Sequence, residues 1–172
     1  MLSRLVSLFL LLFFIPPISS FALPSNYKKS LEKNIYIAKN MSSAYIWGAS
    51  GAIKDNTLQV DCSGLMYYLF KKSGIAVRRS TSFRMRHGLD GWTGKDVSIK
   101  DADPIDILFW TWKGQEIKRP FGHVGIVIVE NRSGLLEGFH ASGSAKKAIV
   151  SPIQNVMLRD LKVIRRITIG DK

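Results

Sequence analysis

The stretch DCSGLMYYLFKKSG, residues 61–74, decides the fold. We predict a helix over residues 62–73, because apolar side chains recur on one side of it at Leu65, Leu69 and Phe70. Asp61 is a natural N-cap, the two lysines of the last turn suit the helix dipole, and Gly74 suits the position just past the helix. The helix therefore begins at Cys62, the single cysteine of the chain.

The segments on either side of this helix differ in pattern. Upstream, apolar spacing predicts a helix over residues 26–41 with Ser25 as its N-cap, and a polar loop from Ser50 to Gln59. Downstream, β-branched and aromatic residues predict four strands, and the turn signal Asn131–Gly134 separates two of them; the strands are residues 105–110, 123–130, 135–140 and 163–169. Helices followed by strands predict an α+β fold with N-terminal helices packed on an antiparallel sheet.

Residues 1–22 have the pattern of a secretory signal peptide. Arg4 precedes an apolar run that ends before two prolines, and Ser20 and Ala22 put small residues at the −3 and −1 positions. An uncleaved membrane anchor is the alternative, but the run is shorter than the roughly 20 apolar residues that a spanning helix needs. We expect cleavage after Ala22, one domain over residues 23–172 without a membrane span, and a location in the periplasm or at the cell surface.

Composition limits the remaining possibilities. The chain has 172 residues, a formal net charge of +12 and one cysteine, which excludes an internal disulfide and a four-cysteine zinc site. Removal of the leader takes away one positive charge, leaving +11. The basic residues occur in scattered pairs rather than one run, which argues against nucleic acid as a partner and predicts the anionic polymers of a cell envelope instead.

Cys62 and two histidines are the candidates for chemistry. A cysteine at a helix N-terminus lies at the positive end of the dipole, so we predict a lowered thiol pKa. His123 and His140 flank the predicted turn, so antiparallel pairing brings them together to within a residue of register. The three residues suit a nucleophile, a base and an orienting group. A buried structural cysteine, two unrelated surface histidines, and a zinc site built from all three residues remain open.

Five motifs carry a resemblance to a known family. They are AYIWG at 44–48, DCSGL at 61–65, RST at 79–81, GHVGI at 122–126 and FHAS at 139–142. With them the sequence resembles the NlpC-type peptidoglycan cysteine endopeptidases over almost the whole chain after the leader. The resemblance implies a papain-like fold, no cofactor, and hydrolysis of an amide in the peptidoglycan stem peptide. The usual bond lies between γ-D-glutamate and the diamino acid.

The resemblance also implies a role for individual residues. Cys62 would be the nucleophile, His123 the general base and His140 the orienting residue. The Tyr45 hydroxyl and the Cys62 backbone N–H would stabilise the oxyanion. The residues implied to contact substrate are Asp61, Ser63, Arg79, Ser80 and Thr81.

The sequence departs from the family pattern at several positions. Ala49 replaces a glycine after the tryptophan, Arg84 stands where a glutamine is usual, and Ile105 replaces the glycine of a Pro-Gly-Asp turn. Trp110 and Trp112 form an unusual pair, for which sugar stacking is one of the roles considered. These changes bear on peptide preference rather than on catalysis.

Two other functions remain open at this stage. The same three residues would serve an acyltransferase or an amidase that acts outside the cell wall, because one fold hosts several chemistries. A non-catalytic wall-binding domain with a relic site is the third hypothesis. The sequence does not say whether the target wall belongs to the same cell or to another.

Overall fold

The computed structural model describes residues 23–112, 115–118, 120–129, 136–153 and 162–168. The predicted signal peptide and the predicted turn at 131–134 lie outside these described residues. Within the described ranges, no helix is long and apolar enough to cross a membrane.

The described elements are three α-helices, one short 3₁₀ turn and nine strands. The helices are α1 Ser25–Asn40, α2 Cys62–Lys72 and α3 Ser82–Arg86, and the 3₁₀ turn is Ile99–Asp101. The strands are β1 Ser42–Tyr45, β2 Ser50–Lys54, β3 Thr57–Val60, β4 Gly94–Val97, β5 Ile107–Trp110, β6 His123–Val129, β7 Leu136–Ser142, β8 Lys147–Pro152 and β9 Lys162–Ile167.

The strands form two sheets. The larger has the order β4-β9-β5-β6-β7-β8 and is antiparallel at every pairing, whereas in the smaller sheet, β1-β3-β2, strand β1 runs parallel to β3. Helix α2 packs against β6 and β7 of the larger sheet and against β2 of the smaller one. The predicted α+β architecture is confirmed.

Helix α2 starts where the sequence predicts. The Asp61 side chain accepts a hydrogen bond from the Gly64 N–H at 2.5 Å, which satisfies one of the free donors of the first turn. Gly74 follows the helix with φ +80, a left-handed conformation that glycine adopts without a steric penalty. The apolar side of the helix, including Leu65 and Leu69, is fully buried.

Two local predictions are wrong. Ser25 is the first residue of α1 rather than its N-cap, because the Pro24 carbonyl already accepts the first helical N–H, from Lys28, at 3.1 Å. The segment 50–59 is a β-hairpin rather than a loop, and its turn residues Asp55 and Asn56 both have positive φ, as a two-residue hairpin turn requires. Strand β2 is largely solvent-exposed, so it carries no apolar alternation that the sequence could reveal.

The larger sheet buries a different cluster on each face. One face packs with α1 and α2 through residues such as Phe109, Val124 and Phe139. The other face buries Trp110 with Leu108, Val127, Ile153 and Ile164. Since strand residues alternate between faces and His123 pairs with Trp110, His123 shares the face of Trp110.

The turn before β5 forms with Ile105 where the family pattern has a glycine. The Asp106 N–H donates to the Asp103 carbonyl at 3.2 Å, with Pro104 and Ile105 at the two central positions. Ile105 has φ +76, which is strained for a β-branched residue, and its side chain is buried in the core. Asp106 is also buried and pairs with Arg166, which fixes the end of the turn to β9.

Gly64 permits the close approach of a second turn to α2. A Cβ built at this position would lie 1.9 Å from the carbonyl oxygen of Ala49. That oxygen accepts the Asp61 N–H at 3.2 Å, so the backbone of residues 47–49 rests directly on the first turn of the helix.

We predict that Gly64→Ala destabilises the protein by about 2 kcal/mol, because the added methyl group must displace backbone in a packed site. Helix propensity alone predicts the opposite sign, a gain of about 1 kcal/mol. Urea denaturation followed by circular dichroism measures the change in the free energy of unfolding. The control is Lys72→Ala, an exposed substitution in the same helix, and a Gly64→Ala variant as stable as this control would contradict the prediction.

Candidate active site

Cys62 lies at the N-terminus of α2 against the start of β6. It is 7% exposed, and the backbone N–H groups of Ser63 and Val124 lie close enough to its sulfur to favour the thiolate. Val124 directly follows His123, so the helix end and the strand end bring thiol and imidazole to one place.

Burial governs the ionisation of this thiol. It raises the pKa of Cys62 to about 11, and the negative charge of Asp61 adds to the rise. The backbone N–H groups lower the pKa, but they do not offset removal from water. The predicted lowering of the Cys62 pKa is therefore wrong, because desolvation outweighs the helix end.

The two histidines are hydrogen-bonded to each other. His123 Nε2 lies 2.9 Å from His140 Nδ1, and each residue is 6% exposed. The predicted proximity of this pair is confirmed. Strands β6 and β7 pair with Ile126 opposite Phe139, a register two residues away from one that sets His123 directly opposite His140, so the prediction of pairing to within one residue is wrong. A shift of two residues keeps each side chain on its face, so the histidines still meet, along a diagonal.

The surroundings of the pair keep both rings neutral. Burial is the main reason that the pKa of His123 is lowered to about 3, and repulsion between the two rings when both are protonated is the smaller reason. Burial lowers the pKa of His140 to about 4. The buried Trp110 ring excludes water from both, with its centroid 4.1 Å from that of His123 and 5.2 Å from that of His140.

A hydrogen-bonded cluster surrounds Asp61, the residue that precedes Cys62. The Asp61 carboxylate accepts from the Gly48 N–H at 2.9 Å and from the Arg79 guanidinium at 2.8 Å. Arg79 also donates to the Ser63 hydroxyl at 2.7 Å and to the Ser50 hydroxyl at 3.0 Å. This buried carboxylate therefore serves α2, the Trp47–Gly48 turn and Arg79 at once.

A cavity of about 770 Å³ opens in front of Cys62, His123 and His140. Tyr45 lines it, and the raised pKa of its hydroxyl comes from burial first and then from the charges of Cys62 and Asp61. The aromatic part of the wall comprises Trp47, Phe83, Trp112 and Phe121. Trp112 is about half exposed, and its centroid lies 5.5 Å from that of His123.

Only some of the residues implied to contact substrate face this cavity. Thr81 lines it, whereas Asp61, Ser63, Arg79 and Ser80 lie outside the set of described residues that line it. The first three bind one another, and the Ser80 hydroxyl donates to Asp90 at 2.6 Å. The substrate contacts of all five residues stay predictions.

One polar neighbour of the histidines, Ser151, was not predicted from the sequence. Ser151 Oγ lies 3.2 Å from His140 Nε2 and belongs to β8, a strand that the apolar pattern did not reveal. In the part of the chain that the structure describes, no three His, Cys, Asp or Glu side chains are grouped so that they could hold a metal ion.

The chain is similar to several known proteins. The sequence profile of the NlpC/P60 family matches residues 42–166. A probable endopeptidase p60 of Listeria welshimeri is 29% identical over 115 residues, covering 63% of this chain and 19% of that protein. A γ-D-glutamyl-L-lysine dipeptidyl-peptidase of Bacillus subtilis is 30% identical over 84 residues, covering 49% of this chain and 24% of that protein. The chain thus spans at most a quarter of the length of these two relatives.

Solved structures show the same fold. NlpC2 from Trichomonas vaginalis superposes with a TM-score of 0.58 at 23% identity, covering 83% of this chain and 47% of that one. RipD from Mycobacterium tuberculosis, described as a non-catalytic NlpC/p60 domain protein adapted to peptidoglycan binding, gives a TM-score of 0.52 at 15% identity, covering 81% of this chain and 96% of that one. Since the profile match includes the strands and the helix that carry Cys62, His123 and His140, the chain belongs to the NlpC/P60 family.

Proposed function

We propose that this protein is a cysteine peptidase that hydrolyses an amide bond in the stem peptide of peptidoglycan. The observation that carries the proposal is the arrangement of Cys62, His123 and His140 on one cavity, with the two imidazoles joined at 2.9 Å. The names of the relatives, an endopeptidase and a dipeptidyl-peptidase, support a peptidase activity.

The bond between γ-D-glutamate and the diamino acid is the proposed cleavage site. A relative named for γ-D-glutamyl-L-lysine supports this choice. The apolar leader over residues 1–22 supports export to the periplasm or the cell surface, where peptidoglycan is accessible. The charge of +11 that remains after its removal favours a location near the anionic polymers of the envelope.

The geometry suits attack by a thiol whose proton leaves as the new bond forms. His123 Nε2 is occupied by His140, so Nδ1 is the nitrogen that takes the thiol proton. The sulfur bonds to the carbonyl carbon, and the Cys62 N–H and the Tyr45 hydroxyl stabilise the oxyanion. The C–N bond then breaks as the imidazolium returns the proton to the leaving amine. Water, deprotonated by the same imidazole, hydrolyses the thioester.

Acyl transfer is the second candidate function, and the aromatic wall of the cavity favours it. Trp47, Phe83, Trp112 and Phe121 offer a largely apolar surface beside the thiol. An apolar acyl group bound there would pass from the thioester to an amine or a lipid instead of to water. Such an enzyme would release no peptide from peptidoglycan.

We expect wild-type protein to release peptides from purified peptidoglycan and Cys62→Ala to release none, because the alanine variant has no nucleophile. Mass spectrometry of the products identifies the bond. Lys72→Ala, which alters an exposed side chain remote from the cavity, serves as the active control. If wild-type protein and Cys62→Ala bind peptidoglycan equally and both leave it intact, the peptidase proposal is contradicted and a binding role is favoured.

We also predict how the reactivity of Cys62 depends on pH. Because the thiol pKa is raised to about 11 and the pKa of His123 is lowered to about 3, both groups are neutral at every pH between these values. Alkylation by iodoacetamide should therefore be slow at neutral pH and should still be rising above pH 9, later than for a cysteine in a short peptide. A rate plateau between pH 5 and 7 would instead show a thiolate–imidazolium pair and would contradict the prediction.

A further inference from the structure

A line of polar side chains continues beyond the two histidines. His123 on β6, His140 on β7 and Ser151 on β8 lie on three successive strands, joined at 2.9 Å and 3.2 Å. His140 pairs in register with Ile149, so Ser151, two residues further along β8, lies on the same face as His140 and diagonal to it. Nothing in the family motifs marks Ser151.

The direction of the hydrogen bonds along this line decides whether His123 is able to act as a base. A neutral imidazole has one N–H donor and one acceptor nitrogen. If His140 Nε2 donates to Ser151 Oγ, then His140 Nδ1 accepts from His123 Nε2, and His123 Nδ1 keeps a lone pair for the thiol proton. If the serine donates instead, every bond reverses, and His123 Nδ1 carries a proton and cannot accept another.

Burial makes the choice of direction matter. His123 and His140 are each 6% exposed and lie against the buried Trp110, so water has little access to correct an unfavourable tautomer. Among the described residues, the side chain that contacts His140 Nε2 at hydrogen-bond distance is that of Ser151. It lies on β8, whose backbone pairs in register with β7 from Lys147 to Pro152, and the Ala148 N–H of the same strand also donates to the Ser43 hydroxyl of β1 at 3.1 Å.

We propose that Ser151 is a positioning residue: its hydroxyl accepts a hydrogen bond from His140 Nε2–H and thereby holds His123 in the tautomer that has a free Nδ1 lone pair. The kinetic part of this inference rests on the proposed peptidase function. The tautomer itself does not, because it is a property of the resting protein.

The test compares wild type, Ser151→Ala, Ser151→Thr and Ser43→Ala by NMR of ¹⁵N-labelled histidine, which distinguishes a protonated from an unprotonated ring nitrogen. The chain has three histidines, and His87→Gln assigns the exposed one. We expect His140 to be protonated at Nε2 in wild type, in Ser151→Thr and in Ser43→Ala. Ser43→Ala is the control, because it removes a serine hydroxyl of β1 that contacts β8 at Ala148 and not at His140. In Ser151→Ala, a second population protonated at His140 Nδ1 should appear.

Peptidoglycan hydrolysis supplies the second measurement. We expect Ser151→Ala to lower kcat about tenfold with little change in KM, and we expect Ser151→Thr to restore the rate. Wild-type His140 protonated at Nδ1, or a Ser151→Ala variant with an unchanged His140 tautomer, overturns the proposal whatever the activity. If wild-type protein releases no peptide, the proposed function fails, while the NMR result still decides the role of Ser151.

Discussion

The buried Asp61 carboxylate is the interaction on which the rest of the site depends. It caps α2 at Gly64, binds the Gly48 N–H of the neighbouring turn, and pairs with Arg79. A buried charge is tolerated only when it is paired and hydrogen-bonded, so these partners are needed together. Because the cap fixes where α2 begins, it also fixes Cys62 at the helix end, beside the cavity. The motif around the cysteine therefore has a structural cause as well as a chemical one.

Burial favours the neutral form of Cys62, His123 and His140. It raises the pKa of the Cys62 thiol and lowers the pKa of both imidazoles, so the resting site holds neutral groups. In the proposed mechanism the Cys62 thiol therefore depends on His123 to take its proton at the moment of attack, rather than on a thiolate that exists beforehand. In that mechanism the orientation and tautomer of His123 matter more than the helix dipole, and the proposed role of Ser151 is to hold that tautomer through His140.

The departures from the family pattern lie around this centre and leave it intact. The Ala49 carbonyl packs on Gly64, and Arg84 pairs with Asp90 at 2.8 Å, beside the loop that carries Thr81. Ile105 occupies a left-handed turn position, where its buried side chain compensates for backbone strain. Trp110 packs against the two histidines, whereas Trp112 lines the cavity, so the two tryptophans have different places in the site.

The sequence by itself determined the start of α2 at Cys62, the α+β class and the proximity of His123 and His140, because capping, apolar periodicity and turn spacing act over a few residues. It did not reveal the exposed hairpin at 50–60 or strand β8, whose side chains carry no clear apolar alternation. Only the tertiary structure decided the direction of the Cys62 pKa shift, the cluster around Asp61 and the place of Ser151. Each depends on desolvation or on contacts between segments distant in the chain, which local sequence patterns do not encode.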